Sequence, residues 1–100
     1  MPLYTLQKSS NPNKKYMVTI ISKNTGRQKT IHFGASGMSD YTQHKDPQRK
    51  QRYINRHQSN ENWNNVESAG YWALKILWNL PTIKASWNWV KNDLKRKGYL

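Results

Sequence analysis

The feature that most constrains the fold is a segment, from Ala69 to Asn79, that is apolar on nearly every side. Its apolar side chains are those of Trp72, Ala73, Leu74, Ile76, Leu77 and Trp78. A helix that is apolar all round is typical of a protein interior, so the remainder of the chain is expected to cover it. Ser68 is placed to cap this helix, and Pro81 forces its end. With 100 residues, the chain has room for one domain.

Two short segments on either side of Gly26 predict strands that cover this helix. Residues 16–21 are rich in β-branched and aromatic side chains, and residues 29–34 alternate, so that Ile31 and Phe33 share one face. Gly26 is suited to the turn between them. Because two strands alone are marginal in water, we expect this β-hairpin to pack against helices or to gain a third strand.

Capping signals predict two further helices. Asp46 followed by Pro47 indicates a helix from residue 47 to about residue 58, and Thr82 indicates another over residues 83–97. The predicted fold is therefore α+β: an N-terminal β-hairpin, or a small antiparallel sheet, packed against about three helices. Residues 14–100 form this single small domain, and residues 1–13, which are polar and turn-rich, are interpreted as a flexible N-terminal arm.

Charge predicts the kind of partner. The chain has 17 Lys and Arg against 5 Asp and Glu, a net charge of +12, and residues 47–60 contain four cations and no acid. Spacings of four, three and four place Lys45, Arg49, Arg52 and Arg56 on one face of a helix. Like charges so placed repel by a few tenths of a kcal/mol per pair. We therefore expect a polyanion to bind there; the alternative is a merely solvated face.

The candidate nucleic-acid-binding residues surround this helix and the hairpin. They are Lys14, Lys15, Lys29, Lys45, Arg49, Lys50, Arg52 and Arg56. Trp63 is the candidate for stacking on a base, whereas Trp72, Trp78 and Trp87 have core spacing. These contacts reach backbone phosphates, so binding without sequence specificity is expected.

Signals for catalysis and for metals are weak. There is no cysteine, and His44, Lys45 and Asp46 are contiguous, unlike the spaced residues of HKD-type phosphodiesterases. His32, Asp40, His44 and His57 lack the spacings of strong metal motifs, so their roles beyond structure stay open. We expect no enzyme activity, no metal and no cofactor. No apolar run approaches the roughly 20 residues that a membrane span needs, and the N-terminus does not resemble a signal peptide.

Several stretches together resemble a family of small basic proteins of large double-stranded DNA viruses. The stretches are Lys29-Thr30-Ile31-His32-Phe33-Gly34-Ala35, Gly37, Ser39-Asp40-Tyr41-Thr42, His44-Lys45-Asp46, Arg49-Lys50, Arg52-Tyr53-Ile54, Arg56-His57, Glu61-Asn62-Trp63, Ala69-Gly70-Tyr71-Trp72 and residues 77–86. The resemblance extends from about Lys15 to Ser86, while the N-terminal arm and the stretch around Asn64 depart from it. It implies a protein of the virus particle and no particular activity.

Charge and resemblance combine into one expectation and two alternatives. The expectation is a virion-associated protein that binds nucleic acid, DNA in preference to RNA, during genome packaging and organisation. The first alternative is a minor capsid or cement protein that docks on acidic shell or membrane surfaces; the distant alternative is a metal-dependent nuclease. The expected location is the virion, with the host cytoplasm or nucleus during assembly, and exposed tryptophans make self-association a further expectation.

Overall fold

A computed structural model describes residues 4–21, 25–61 and 63–99 and confirms the α+β class. The strands are β1 (Thr5–Lys8), β2 (Lys14–Ile21) and β3 (Gln28–Ala35). They form an antiparallel sheet in the order β1-β2-β3. The hairpin predicted from residues 16–34 is therefore two strands of a three-stranded sheet.

The helices follow the sheet in the chain. They are α1 (Tyr41–His44), α2 (Pro47–His57), α3 (Ala69–Trp72) and α4 (Ile83–Arg96). The starts predicted at residues 47, 69 and 83 are confirmed, because Asp46, Ser68 and Thr82 each accept a hydrogen bond from the backbone of the helix they cap.

The helix predicted over residues 69–79 is less regular than expected. After Trp72 it continues as a π-helical segment, Ala73–Leu77, and it ends at Leu77 because Trp78 (φ −121°, ψ 17°) leaves helical geometry. A π-turn holds more residues per turn than an α-turn, and Leu74, Ile76 and Leu77 are all buried in it. Its interior position is as predicted.

The N-terminal arm expected over residues 1–13 is corrected in the part that the structure describes. β1 pairs with β2, with Leu6 opposite Val18, and Tyr4 and Leu6 pack against the core. The strand supplies hydrogen bonds to an edge of β2 that a hairpin would leave open. Residues 1–3 lie outside the described residues.

The core lies between the sheet and the C-terminal helices. Val18, Ile20 and Phe33 cover one face of the sheet and are almost fully buried. They belong to the same buried cluster as Trp72 and Leu94. Trp72 Nε1 donates to the carbonyl oxygen of Val66 at 2.7 Å, so its polar group is satisfied inside the core.

Candidate nucleic-acid interface

Helix α2 is held against the domain along one side only. Tyr53 is buried and stacks on Trp78, with ring centroids 4.4 Å apart and an interplanar angle of 5°. Burial raises the pKa of Tyr53 to about 12. Lys50 donates from Nζ to the carbonyl oxygen of Asn79 at 2.6 Å and lies over the ring of Tyr41. These contacts fix which side of α2 faces outward.

Three arginines occupy the outward side of α2. Arg49, Arg52 and Arg56 are exposed, and within residues 4–21, 25–61 and 63–99 none of them forms an ion pair. They line a cavity of about 510 Å³ between α2 and the segment before α1, which we call the arginine groove. Its walls are Met38, Ser39, Arg49, Arg52, Asn55, Arg56 and Trp78.

The acidic side chains of the chain are all engaged elsewhere. Asp46 accepts from the backbone N–H of Gln48 at the start of α2. The other four carboxylates have cationic or histidine partners. The pairs are Lys15–Asp40, Lys29–Glu67, His57–Glu61, Arg96–Asp93 and Lys97–Asp93. Within the part of the chain that the structure describes, no carboxylate therefore forms an ion pair with the arginines of the groove.

Two of the predicted phosphate contacts have other roles in this region. Lys45 is not on α2: it caps α1 in the left-handed conformation (φ 55°), and its Nζ donates to the carbonyl oxygen of Thr42 at 3.1 Å. Lys50 is half-buried and docks α2 on the domain. The predicted basic face therefore consists, in the structure, of Arg49, Arg52 and Arg56.

The predicted lysines of the sheet differ in whether their charge is paired. Lys15 Nζ lies 2.5 Å from Asp40 Oδ2, so its charge is paired in a largely buried position. Lys29 contacts the carbonyl oxygen of Glu67 at 3.3 Å and its carboxylate at 3.8 Å. Lys14 is exposed and unpaired among the described residues, and it lines the cavity next to the arginine groove. Of these three lysines, Lys14 is the one without a partner among the described residues.

Comparison with known families bears on this region. A family model described as "Family of unknown function (DUF5754)" matches residues 4–57. The chain belongs to this family. The matched residues run from β1 through α2, so they contain the whole sheet and the three arginines, while α3 and α4 lie beyond the match. Neither the curated proteins nor the solved structures contain a match to the chain.

A second cavity, of about 390 Å³, adjoins the arginine groove; we call it the inner pocket. The two share Met38, Ser39, Arg56 and Trp78 as wall residues. Met38, whose side chain is 65% exposed, is not among the site residues predicted from the sequence. The sequence signal that could have found it is Gly37, because glycine favours turns. In the structure Gly37 has positive φ (85°) and lies in the turn that presents Met38.

The inner pocket also contains a polar cluster that the sequence did not predict. Glu61 accepts from Trp63 Nε1 at 2.9 Å and lies 3.3 Å from His57 Nδ1. Trp63, the candidate for base stacking, is thus half-buried with its indole N–H engaged. Gly70 leaves room for the carboxylate, since a Cβ there would lie 2.9 Å from Glu61 Cδ. The three side chains lie within seven residues of one another, at and just after the end of α2, and only their packing against Gly70 joins separate parts of the chain.

The histidines and acids that invited a catalytic interpretation have structural partners. His44 Nδ1 accepts from the backbone N–H of Asp46 at 3.0 Å, and burial, followed by the charge of Arg49, lowers the pKa of His44. Asp40 caps α1, and His32 Nδ1 lies 2.7 Å from Ser9 Oγ. Among the residues described, no group of three or more His, Asp or Glu side chains is arranged to hold a metal ion.

Across the described segments of the chain, none of the helices combines the length and apolar character needed to cross a bilayer.

Proposed function

We propose that the protein binds nucleic acid through backbone phosphates, without reading the base sequence. The observation that carries the proposal is the set of three exposed arginines, Arg49, Arg52 and Arg56, with no internal counter-charge in the part of the chain that is described. The guanidinium group matches phosphate oxygens in a bidentate geometry. Arginines at i, i+3 and i+7 form a row that can follow successive phosphates.

The net charge of +12 supports this choice of partner. The positive charges of a strongly basic domain repel one another in the folded state, and a bound polyanion offsets that repulsion. The uneven distribution adds to the argument, because paired lysines such as Lys15 and Lys29 contribute to net charge but have little left to offer to phosphate. Binding would therefore depend on the arginines of α2 more than on these paired lysines.

The test is a comparison of two variants with the same net charge. In the first, Arg49, Arg52 and Arg56 become Gln, which removes the charge and keeps helix propensity. In the control, three exposed cations distant in sequence from α2, Arg27, Lys84 and Lys95, become Gln. Binding of each to mixed-sequence duplex DNA is measured by fluorescence anisotropy at about 0.1 M salt.

The expected result is a selective loss. Each phosphate contact contributes about 0.9 to the salt slope for duplex DNA, so removing three weakens binding at about 0.1 M salt by roughly two orders of magnitude or more. The control variant should lose far less affinity for the duplex. If both variants lose the same affinity, only net charge matters and the arginine groove is not the site. If the unmodified protein does not bind at about 50 mM salt, the proposal fails altogether.

The finer proposal, a role in packaging the genome of a virus particle, depends on the sequence resemblance described above. It is supported by the abundance of cations, since a packaged genome must have its phosphate charge neutralised. Stepwise stripping of purified particles tests it: the protein should leave with the genome after the shell is removed. Release with the shell would favour the minor capsid or cement role instead.

A further inference from the structure

The proposed phosphate contacts do not explain the walls of the arginine groove. Met38 lines both the arginine groove and the inner pocket, and it is exposed to 65%, the one large hydrophobic side chain exposed to this degree among residues 4–21, 25–61 and 63–99. Its turn is fixed, because the Met38 N–H donates to the carbonyl oxygen of Ala35 at 3.2 Å. A surface that bound only phosphates would gain nothing from an exposed apolar side chain in its wall.

An aromatic stack lines the same pocket as Met38. The rings of Trp78, Tyr53 and His57 follow one another, with centroids 4.4 Å and 4.3 Å apart, and all three line the inner pocket. Each base of a nucleic acid has a π-face, and single-strand-binding proteins place such faces on aromatic platforms inside basic grooves. The inner pocket, at about 390 Å³, is within the size range of small-molecule sites.

Cations are available on both sides of this pocket. Arg56 belongs to the walls of both the arginine groove and the inner pocket. On the other side, Lys14 lines the inner pocket and also a third cavity of about 360 Å³, which contains Lys8. Lys8 and Lys14 are exposed. The three cavities therefore adjoin one another through shared wall residues, and we call this series the path; cations without an ion pair among the described residues lie towards its ends.

We propose that this path binds a single strand of nucleic acid, with one unpaired base held in the inner pocket between Met38 and the ring stack of Trp78, Tyr53 and His57. The inference rests on the proposed phosphate binding and names its substrate class. Arg49, Arg52 and Arg56 hold the phosphates on one side of the base, and Lys14 and Lys8 those on the other. Glu61, fixed by Trp63, keeps lone pairs that accept an N–H group of the base.

A duplex can reach the three arginines with its phosphates, but it does not place a base in the inner pocket. Its bases are stacked and paired, so a base reaches a pocket only after it is flipped out at a cost. Electrostatics alone has the opposite preference, because duplex DNA has the higher charge density and the steeper salt slope. Preference for single strands is therefore a property of the apolar and aromatic walls, and it separates this inference from simple phosphate binding.

The experiment compares three probes with the full chain. They are a mixed-sequence single strand about 12 nucleotides long, its duplex, and a strand of the same length in which every base is replaced by an abasic site. The strand with bases should bind at least about fivefold more tightly than the abasic strand, the smallest effect expected of one stacked base. It should also bind more tightly than the duplex.

A pair of methionine variants locates the effect. Met38→Gln should weaken binding of the strand with bases several-fold and leave the abasic strand unchanged, while Met17→Gln, on the opposite face of β2 from the core residue Val18, should change neither. Equal affinity for the three probes, or an unchanged Met38→Gln variant, overturns the base pocket and leaves phosphate binding intact. No affinity for any probe overturns both proposals.

Discussion

Replacing Gly34 by alanine tests how closely the sheet packs on the π-helical segment below the inner pocket. Gly34 has φ 81°, and a Cβ built there would lie 2.6 Å from Leu77 Cδ1 and 3.3 Å from Lys15 Cβ. Gly26 is the matched control: its φ is 72°, and a Cβ there meets no atom within 4 Å. Both substitutions impose the same backbone strain, but only Gly34→Ala adds a collision with the core.

The expected losses of stability follow from the backbone strain and from the collision with the core. An alanine in the left-handed region lowers the free energy of unfolding by about 1–2 kcal/mol. Alanine also reduces the conformational entropy of the unfolded chain, which stabilises the protein by about 0.4–1 kcal/mol. Gly26→Ala should therefore lower the free energy of unfolding by about 1 kcal/mol. Overpacking against Leu77 adds about 1–3 kcal/mol to Gly34→Ala, for a total of about 2–4 kcal/mol. In a domain of this size each kcal/mol lowers Tm by about 4–8 °C.

Urea unfolding followed by tryptophan fluorescence measures both variants, since Trp72 is fully buried in the folded chain. Gly34→Ala should lose about 1–3 kcal/mol more than Gly26→Ala. Equal losses would refute the reasoning, because they would mean that β3 and Leu77 are not in the close contact described.

Three further predictions concern the surroundings of the arginine groove. Lys50→Ala removes the hydrogen bond that docks α2, and should lower the free energy of unfolding by about 1–2 kcal/mol in urea titrations; no loss would contradict that role. Gly70→Ala, which ordinarily stabilises a helix, should destabilise the protein by displacing Glu61, and the NMR signal of the Trp63 indole N–H should shift; an unshifted signal would contradict the cluster. The pKa of His44 is lowered from 6.5, so the unfolded chain binds more protons and stability should fall as pH drops below about 6.5. Urea unfolding between pH 7.5 and 5.5 checks this, and His44→Gln should reduce the fall.

Much of the fold was accessible from local signals. The caps Asp46, Ser68 and Thr82 each act through a hydrogen bond within their own helix, so sequence alone locates them. The strand β1 was missed because Thr5–Lys8 contains one apolar residue and is stabilised by pairing with β2, a contact that local pattern does not encode.

The candidate site was accessible only in part. The helical spacing of Arg49, Arg52 and Arg56 predicted their common face, but the same spacing wrongly included Lys45, because a left-handed cap ends α1 there. The inward role of Lys50 depends on where α2 docks, which is a tertiary property. Met38 and its cavities likewise arise only when α2 is placed beside the turn that follows β3.

The central claim is that Arg49, Arg52 and Arg56 contact phosphates, and the salt slope of binding tests it most directly. The logarithm of the association constant for single-stranded DNA is measured against the logarithm of salt concentration, for the unmodified protein and for the triple Gln variant. Each phosphate contact on a single strand contributes about 0.7, so the slope should become shallower by about 2. An unchanged slope would contradict the account, since it would show that the three arginines displace no counterions from the nucleic acid.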